Sequence, residues 1–243
     1  MGKCSSCGEW DSLVLQTSEK PTSSPNAAAN FAAEVNELGG ESEAIKILEI
    51  DTPSIGRMST GIHELDRVLG GGLVLGSVVL VGGDPGIGKS TLMMQAAIGA
   101  SREGNRVLYA TSEESAYQCK LRAERLLATE EVNENGLEDL YVLADTDLAH
   151  ITAQVLEVRP QLLVVDSIQM VYRSDMESAP GSVSQIRRCC LELVYLARQL
   201  QMPVMIVGHV TKDGQLAGPR VLEHLVDVVL NFEGDRHYAL RGL

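Results

Sequence analysis

The chain has 243 residues, of which 44% are hydrophobic and 22% charged, and 33 Asp and Glu against 20 Lys and Arg give a net charge of −13. This length suits one large domain plus an appendage, and the composition excludes disorder throughout. No apolar run approaches the ~20 residues of a membrane span, and no secretory signal opens the chain. Because so acidic a chain repels nucleic acid in bulk, any DNA contact needs a local basic patch or basic residues that lie outside this chain.

The first 46 residues differ in composition from the rest. Residues 1–15 contain Cys4, Cys7 and the only tryptophan, and residues 16–46 are Pro/Ser-rich and then alanine-rich, which predicts a flexible linker. Five cysteines are an odd number, and Cys189 and Cys190 are adjacent. The sequence therefore argues against a disulfide framework and predicts a reducing, cytoplasmic location.

From about Ile47 onward, strand-like and helix-like segments alternate. Strands that are apolar on both faces and separated by helices indicate an α/β fold with a mostly parallel sheet, covered by helices on both faces. The predicted helices are Lys89–Ser101, Ala116–Ala128, Leu148–Val158 and Val183–Leu200. The predicted strands are Ser77–Gly82, Arg106–Thr111, Leu140–Ala144, Leu162–Asp166, Val204–Val207, Val226–Phe232 and Tyr238–Leu240.

A glycine-rich segment between the first strand and the first helix fits the phosphate-loop pattern G-x-x-x-x-G-K-[ST], in the strand-to-helix context that the motif requires. We expect Lys89 to reach the β- and γ-phosphates of a nucleotide and Ser90 to hold Mg²⁺. The alternative is a glycine-rich turn without a ligand. The predicted nucleotide-binding residues are Gly83, Asp84, Pro85, Gly86, Ile87, Gly88, Lys89, Ser90 and Thr91.

Asp166 ends an apolar strand and is the predicted second Mg²⁺ residue. In a parallel sheet the carboxyl ends of the strands form the edge where ligands bind. This would bring Asp166 close to Ser90. Gln169 follows three residues later, and we interpret it either as a sensor of the γ-phosphate or as an ordinary loop amide.

Two adjacent acids, Glu113 and Glu114, follow the strand Arg106–Thr111. Hydrolysis needs a group that orients or deprotonates water, and a carboxylate at the sheet edge suits that task. We predict Glu113 as the catalytic base and Glu114 as the second choice. The alternative is helix capping, with Ser112 as the N-cap and the two acids in the first turn.

Several longer strings resemble the bacterial RadA (Sms) family of DNA repair proteins, within the RecA-like ATPases, over residues 47–243. The resemblance implies a RecA-like P-loop ATPase core, ATP and Mg²⁺ as cofactors, and a homo-hexamer in the intact protein. The strings are Thr60–Leu73, Gly82–Thr91, Ser112–Ser115, Asp166–Gln169, Gly181–Gln185, Gly208–Lys212, Ala217–His224 and Phe232–Asp235.

The chain departs from this family at both ends. Family members begin with a four-cysteine zinc ribbon, of which only Cys4 and Cys7 match here, so we expect an incomplete site and no zinc, because structural zinc takes four ligands. Past the last residue, the family carries a Lys-Asn-Arg-Phe-Gly motif and a protease-like domain. We therefore expect a fragment with residues 1–15 as half a zinc ribbon and 47–243 as an ATPase domain truncated at its C-terminal end.

Three basic residues follow two of the predicted strands. Arg173 lies after Asp166, and Lys212 and Arg220 lie after Val204–Val207. In RecA-like rings the loops at these places touch DNA, so the resemblance implies that these three residues are DNA contacts; solvated surface loops are the alternative. His209 is either a γ-phosphate sensor or a structural histidine.

Together these features predict a DNA repair and recombination protein that couples ATP hydrolysis to single-stranded DNA binding and to branch migration. The expected partner is single-stranded or branched DNA, and no membrane is involved. Two alternatives stay open: an autokinase resembling KaiC, which shares the same core, and a switch that binds ATP without hydrolysing it. Multiple-turnover phosphate release separates the switch from the enzymes.

Overall fold

The computed structural model describes residues 46–49, 56–129, 137–208, 222–234 and 241–242. The predicted zinc-ribbon half, the linker up to residue 45 and the strand Tyr238–Leu240 lie outside the described residues. The described part belongs to one compact unit that begins at Lys46. None of its helices combines the length and the apolar character needed to cross a bilayer.

Helices and strands alternate along the described chain, and the predicted elements that fall within it appear with bounds within two residues of those expected. A short 3-10 turn, Ile47–Glu49, precedes them. The helices are α1 (His63–Val68), α2 (Lys89–Arg102), α3 (Ala116–Thr129), α4 (Leu148–Val158) and α5 (Val183–Leu200). The strands are β1 (Arg57–Met58), β2 (Leu73–Val74), β3 (Val78–Gly83), β4 (Val107–Thr111), β5 (Leu140–Ala144), β6 (Leu162–Asp166), β7 (Val204–Val207), β8 (Val228–Gly234) and β9 (Arg241–Gly242).

Within the described residues, the main sheet has seven strands in the order β5-β4-β6-β7-β3-β8-β9. The first six run parallel, and β9 pairs antiparallel with β8. The chain therefore has the predicted α/β fold, a mostly parallel sheet of the P-loop, RecA-like kind. All the parallel strands present their carboxyl ends at one edge, which positions the site.

The central strands β3, β4, β6 and β7 are buried on both faces, because their alternate residues enter two separate cores. Tyr109 and Val164 belong to the core shared with α2 and α3. Leu108 and Val165 belong to the core on the opposite face, which includes residues of α4 and α5. Side chains two residues apart on a strand lie on the same face. Asp166 is two residues beyond Val164, so Asp166 lies on the same face as Tyr109, the face covered by α2 and α3.

A small element before the main sheet was not anticipated from the sequence. β1 and β2 form an antiparallel pair, and α1 lies between them. The carboxylate of Asp66 fixes the turn into α1: Oδ1 accepts from the backbone N–H and the hydroxyl of Thr60 at 2.9 and 2.8 Å, and Oδ2 accepts from the Ser59 hydroxyl at 2.8 Å. Two-residue strands are too short to give a recognisable alternation in sequence.

Candidate functional site

The phosphate-loop segment connects the end of β3 to the start of α2. Gly86 and Gly88 have φ angles of 75° and 111°, a region that favours glycine. A Cβ at Gly83 would lie 2.4 Å from the carbonyl oxygen of Phe232 in β8, so this position also requires glycine. The glycines of the motif are therefore needed to form the loop against the sheet.

Lys89 lies at the start of α2 and only 3% of it is exposed. Its Nζ donates to the backbone oxygens of Gly83 and Asp84 at 2.8 and 2.9 Å, across the loop. Burial lowers the pKa of Lys89 from its usual value, while the charges of Asp166, Asp84 and Glu113 act to raise it. The ammonium group is thus held inside the loop, within electrostatic reach of all three acids.

Asp166 ends β6 and pairs in register with Thr111 at the end of β4. It is 6% exposed, and its Oδ2 accepts a hydrogen bond of 2.6 Å from the hydroxyl of the fully buried Tyr109. Burial first, and then the charge of Asp166, raise the pKa of Tyr109 well above its usual value, so the hydroxyl stays protonated. Tyr109 was not predicted as a site residue, although a tyrosine in an otherwise apolar strand was a visible signal.

Glu113 lies in the loop after β4 and is exposed. The hydroxyl of Ser167, directly after Asp166, donates to its Oε1. Ser112 connects the same two loops: its Oγ accepts from the backbone N–H of Ser167 and donates to the backbone oxygen of that residue, both at 2.9 Å. Ser167 was also missed from the sequence, and it links the predicted base to the Asp166 strand end.

Glu114 points to different partners from those of Glu113. Its carboxylate forms an ion pair with Arg122 of α3, and its backbone N–H donates to the hydroxyl of Thr111 at 3.1 Å. The side chain is 29% exposed and that of Arg122 is 16% exposed. Glu114 therefore connects the loop to α3.

The interpretation of Ser112 as a helix cap is wrong. Helix α3 begins at Ala116, so Ser115 occupies the capping position. The Oγ of Ser115 accepts from the backbone N–H of Gln118 at 3.3 Å, and the Gln118 side chain accepts from the backbone N–H of Ser115 at 2.9 Å. This reciprocal pair is a capping box. Ser112 lies three residues before it, and its hydroxyl bonds Ser167 instead.

The remaining predicted residues are spread along the chain. Gln169 lies half-buried in the turn after β6. Cys4, Cys7, His209, Lys212 and Arg220 lie outside the described residues.

Arg173, the predicted DNA contact in the described part, is engaged by two acids. It donates to both carboxylate oxygens of Asp175 at 2.9 and 2.8 Å and to Glu192 of α5 at 3.0 Å. Glu192 also accepts from Arg188 at 2.5 Å. The hydrogen bond from Arg173 lowers the pKa of Asp175. The charge of Arg173 is therefore already balanced within the loop and α5.

The predicted Mg²⁺ residues agree with the chemistry of that ion. Among the residues that the structure describes, no group of three or more His, Cys, Asp or Glu could hold a metal ion. Mg²⁺ in a P-loop site does not need such a group, because a serine hydroxyl, one acid and the nucleotide phosphates hold it. Ser90 and Asp166 supply the hard oxygen donors that Mg²⁺ prefers, so the residues present fit the ion.

Comparison with known proteins shows the family to which the domain belongs. A family described as an AAA domain matches residues 45–215. The chain belongs to that family, and its parallel sheet and phosphate loop define a P-loop domain of the ATPase type.

Similar individual proteins share the name DNA repair protein RadA. DNA repair protein RadA of Bacillus subtilis (strain 168) and that of Listeria monocytogenes are each 47% identical over 245 residues. That of Halalkalibacterium halodurans is 44% identical over 244 residues. Each alignment covers 100% of this chain and 50% of the relative, so the chain spans about half the length of these curated relatives. The resemblance to RadA predicted from the sequence is confirmed.

Proposed function

We propose that this domain binds ATP with Mg²⁺ and hydrolyses it. The observation that carries the proposal is the position of Glu113. The hydroxyl of Ser167 fixes its carboxylate, it stays exposed to solvent, and its charge acts on the ammonium group of Lys89. An oriented acid that solvent can reach is suited to activating water, and its charge reaches Lys89 of the proposed phosphate loop.

Each residue has a separate task in this proposal. Lys89 would place its positive charge against the β- and γ-phosphates in place of its present carbonyl partners. Ser90 and Asp166 would hold Mg²⁺, which neutralises phosphate charge when bound. Glu113 would orient the attacking water and accept its proton. Gln169 and His209 are proposed to sense the γ-phosphate.

The proposed role of ATP turnover is DNA repair in the cytoplasm, because the relatives are named DNA repair proteins. In the longer protein we propose that it drives single-stranded DNA binding and branch migration, on a homo-hexameric ring. Lys212 and Arg220 are the proposed DNA contacts. Arg173 is left out of that pair, since two acids already occupy its guanidinium group.

Multiple-turnover phosphate release tests the proposal. The purified chain is given excess ATP and Mg²⁺, with and without single-stranded DNA, and Lys89→Ala serves as the matched control. We expect turnover by the parent chain and none by the variant, because Lys89 would supply the charge that binds the β- and γ-phosphates. The variant should still fold, because the hydrogen-bond partners of the ammonium group are two loop carbonyls. Release equal in both chains contradicts the phosphate-loop assignment. ATP binding without release by the parent chain favours the non-hydrolysing switch.

A further inference from the structure

The hydroxyl of Tyr109 is a polar group in a fully buried strand. All five residues of β4 are buried, and Tyr109 itself has no exposed surface. A phenol in such a place needs a hydrogen-bond partner, because an unsatisfied buried hydroxyl is costly. Its partner is the carboxylate of Asp166, 2.6 Å away on the neighbouring strand.

This bond has the features of a strong positioning contact. A hydrogen bond to a charged acceptor is shorter and about twice as strong as one between neutral groups. The register pairs Tyr109 with Val164 and Thr111 with Asp166, so the sheet fixes the two backbone positions from which these side chains extend.

We propose that Tyr109 is a positioning residue for the Mg²⁺–nucleotide complex. It holds one oxygen of Asp166 and so fixes the orientation of the carboxylate beside Lys89. This inference rests on the proposed function, in which Asp166 helps to hold Mg²⁺. Residues that orient a metal-binding group through a hydrogen bond typically change metal affinity by about 10–100-fold when removed.

The test measures metal-dependent binding, without turnover. A fluorescent, non-hydrolysable ATP analogue is titrated onto Tyr109→Phe, with Tyr141→Phe as the control, since Tyr141 is an exposed tyrosine on the adjacent strand. For Tyr109→Phe we expect the Mg²⁺ concentration for half-maximal binding to rise about tenfold, with metal-free binding unchanged. Tyr141→Phe should match the parent chain. A merely structural role for Tyr109 would weaken metal-free binding as well.

A second background shows whether Tyr109 acts through Asp166. In Asp166→Ala the hydroxyl has lost its acceptor, so adding Tyr109→Phe should change the Mg²⁺ dependence no further, whereas independent effects would add. If analogue binding by the parent chain depends on Mg²⁺, and Tyr109→Phe needs the same Mg²⁺ concentration for half-maximal binding, only the Tyr109 inference is overturned. If the parent chain binds the analogue equally well without Mg²⁺, the proposed function fails and the inference fails with it.

Discussion

The ion pair between Glu114 and Arg122 separates two acids that are neighbours in the sequence. Arg122 holds Glu114 against α3, whereas Glu113 stays exposed and accepts from Ser167. The sequence allowed the two carboxylates only to be ranked as candidate bases, whereas the structure gives them different partners. This difference makes the pair a matched test of which acid serves hydrolysis.

Glu113→Gln should keep nucleotide binding and lose hydrolysis. The amide preserves the size of the side chain but cannot accept a proton from water. Losing a positioned general base typically lowers the rate by about 10²–10⁴. Phosphate release and analogue binding, measured on the same preparation, check the two halves of this expectation.

Glu114→Gln is the control, and we expect it to affect stability. The amide weakens a partly exposed ion pair, so the free energy of unfolding should fall by about 1 kcal/mol while turnover persists. Chemical denaturation and the same phosphate assay measure the two quantities. If Glu114→Gln is inactive and Glu113→Gln is active, the assignment of the base is reversed.

Most strands of the main sheet and the helices that cover it were predictable, whereas the small β1–α1–β2 element and the contacts of the site were not. Leu162–Asp166 is an apolar run with a charged end, and the structure gives the strand the predicted bounds. The bonds from Tyr109 to Asp166 and from Ser167 to Glu113 join residues 57 and 54 positions apart. Such contacts depend on strand order and register, and periodicity within one segment carries no information about either.

Gln185 should be important for the stability of the loop after β6. The side chain is 1% exposed; it accepts from the backbone N–H of Arg173 at 2.9 Å and donates to the backbone oxygens of Arg173 and Ser178 at 3.1 and 2.8 Å. Gln185→Ala leaves these groups without their partner, which should lower the free energy of unfolding by about 2 kcal/mol. Gln154→Ala on α4, where the side chain bonds only Glu157 in the described structure, should change it by less than about 0.5 kcal/mol.

The three described cysteines should resist alkylation in the native state. Cys119, Cys189 and Cys190 are free and buried. Burial raises the pKa of Cys189 and of Cys190 to about 12 and also raises that of Cys119, so at pH 8 few of these thiols are the reactive thiolate. Peptide mapping after iodoacetamide treatment should find them unmodified, and modified after denaturation in guanidinium. Native labelling at the rate of a free thiol would contradict the buried placement.

Arg173→Ala should leave the salt dependence of DNA binding unchanged. A cation contributes to that dependence only when it neutralises a phosphate and releases counterions, and Arg173 already faces Asp175 and Glu192. Taking Arg173 from both carboxylates would leave Asp175 without this partner and Glu192 with only Arg188 in the described structure, beside a polyanion. Lys212→Ala is the comparison, and it should reduce the slope of log affinity against log salt by about 0.7 for a single strand.

The stability of the Arg173→Ala variant provides the second half of the test. When the guanidinium group of Arg173 is removed, Asp175 loses an ion-pair partner, and Glu192 keeps only Arg188 in the described structure. The variant should therefore unfold at a lower denaturant concentration than the parent chain. Fluorescence anisotropy with a labelled single strand at several salt concentrations gives the slope for each variant. If the slope of log affinity against log salt falls by about 0.7 in Arg173→Ala, then Arg173 leaves its ion pairs and contacts a DNA phosphate, as the sequence predicted.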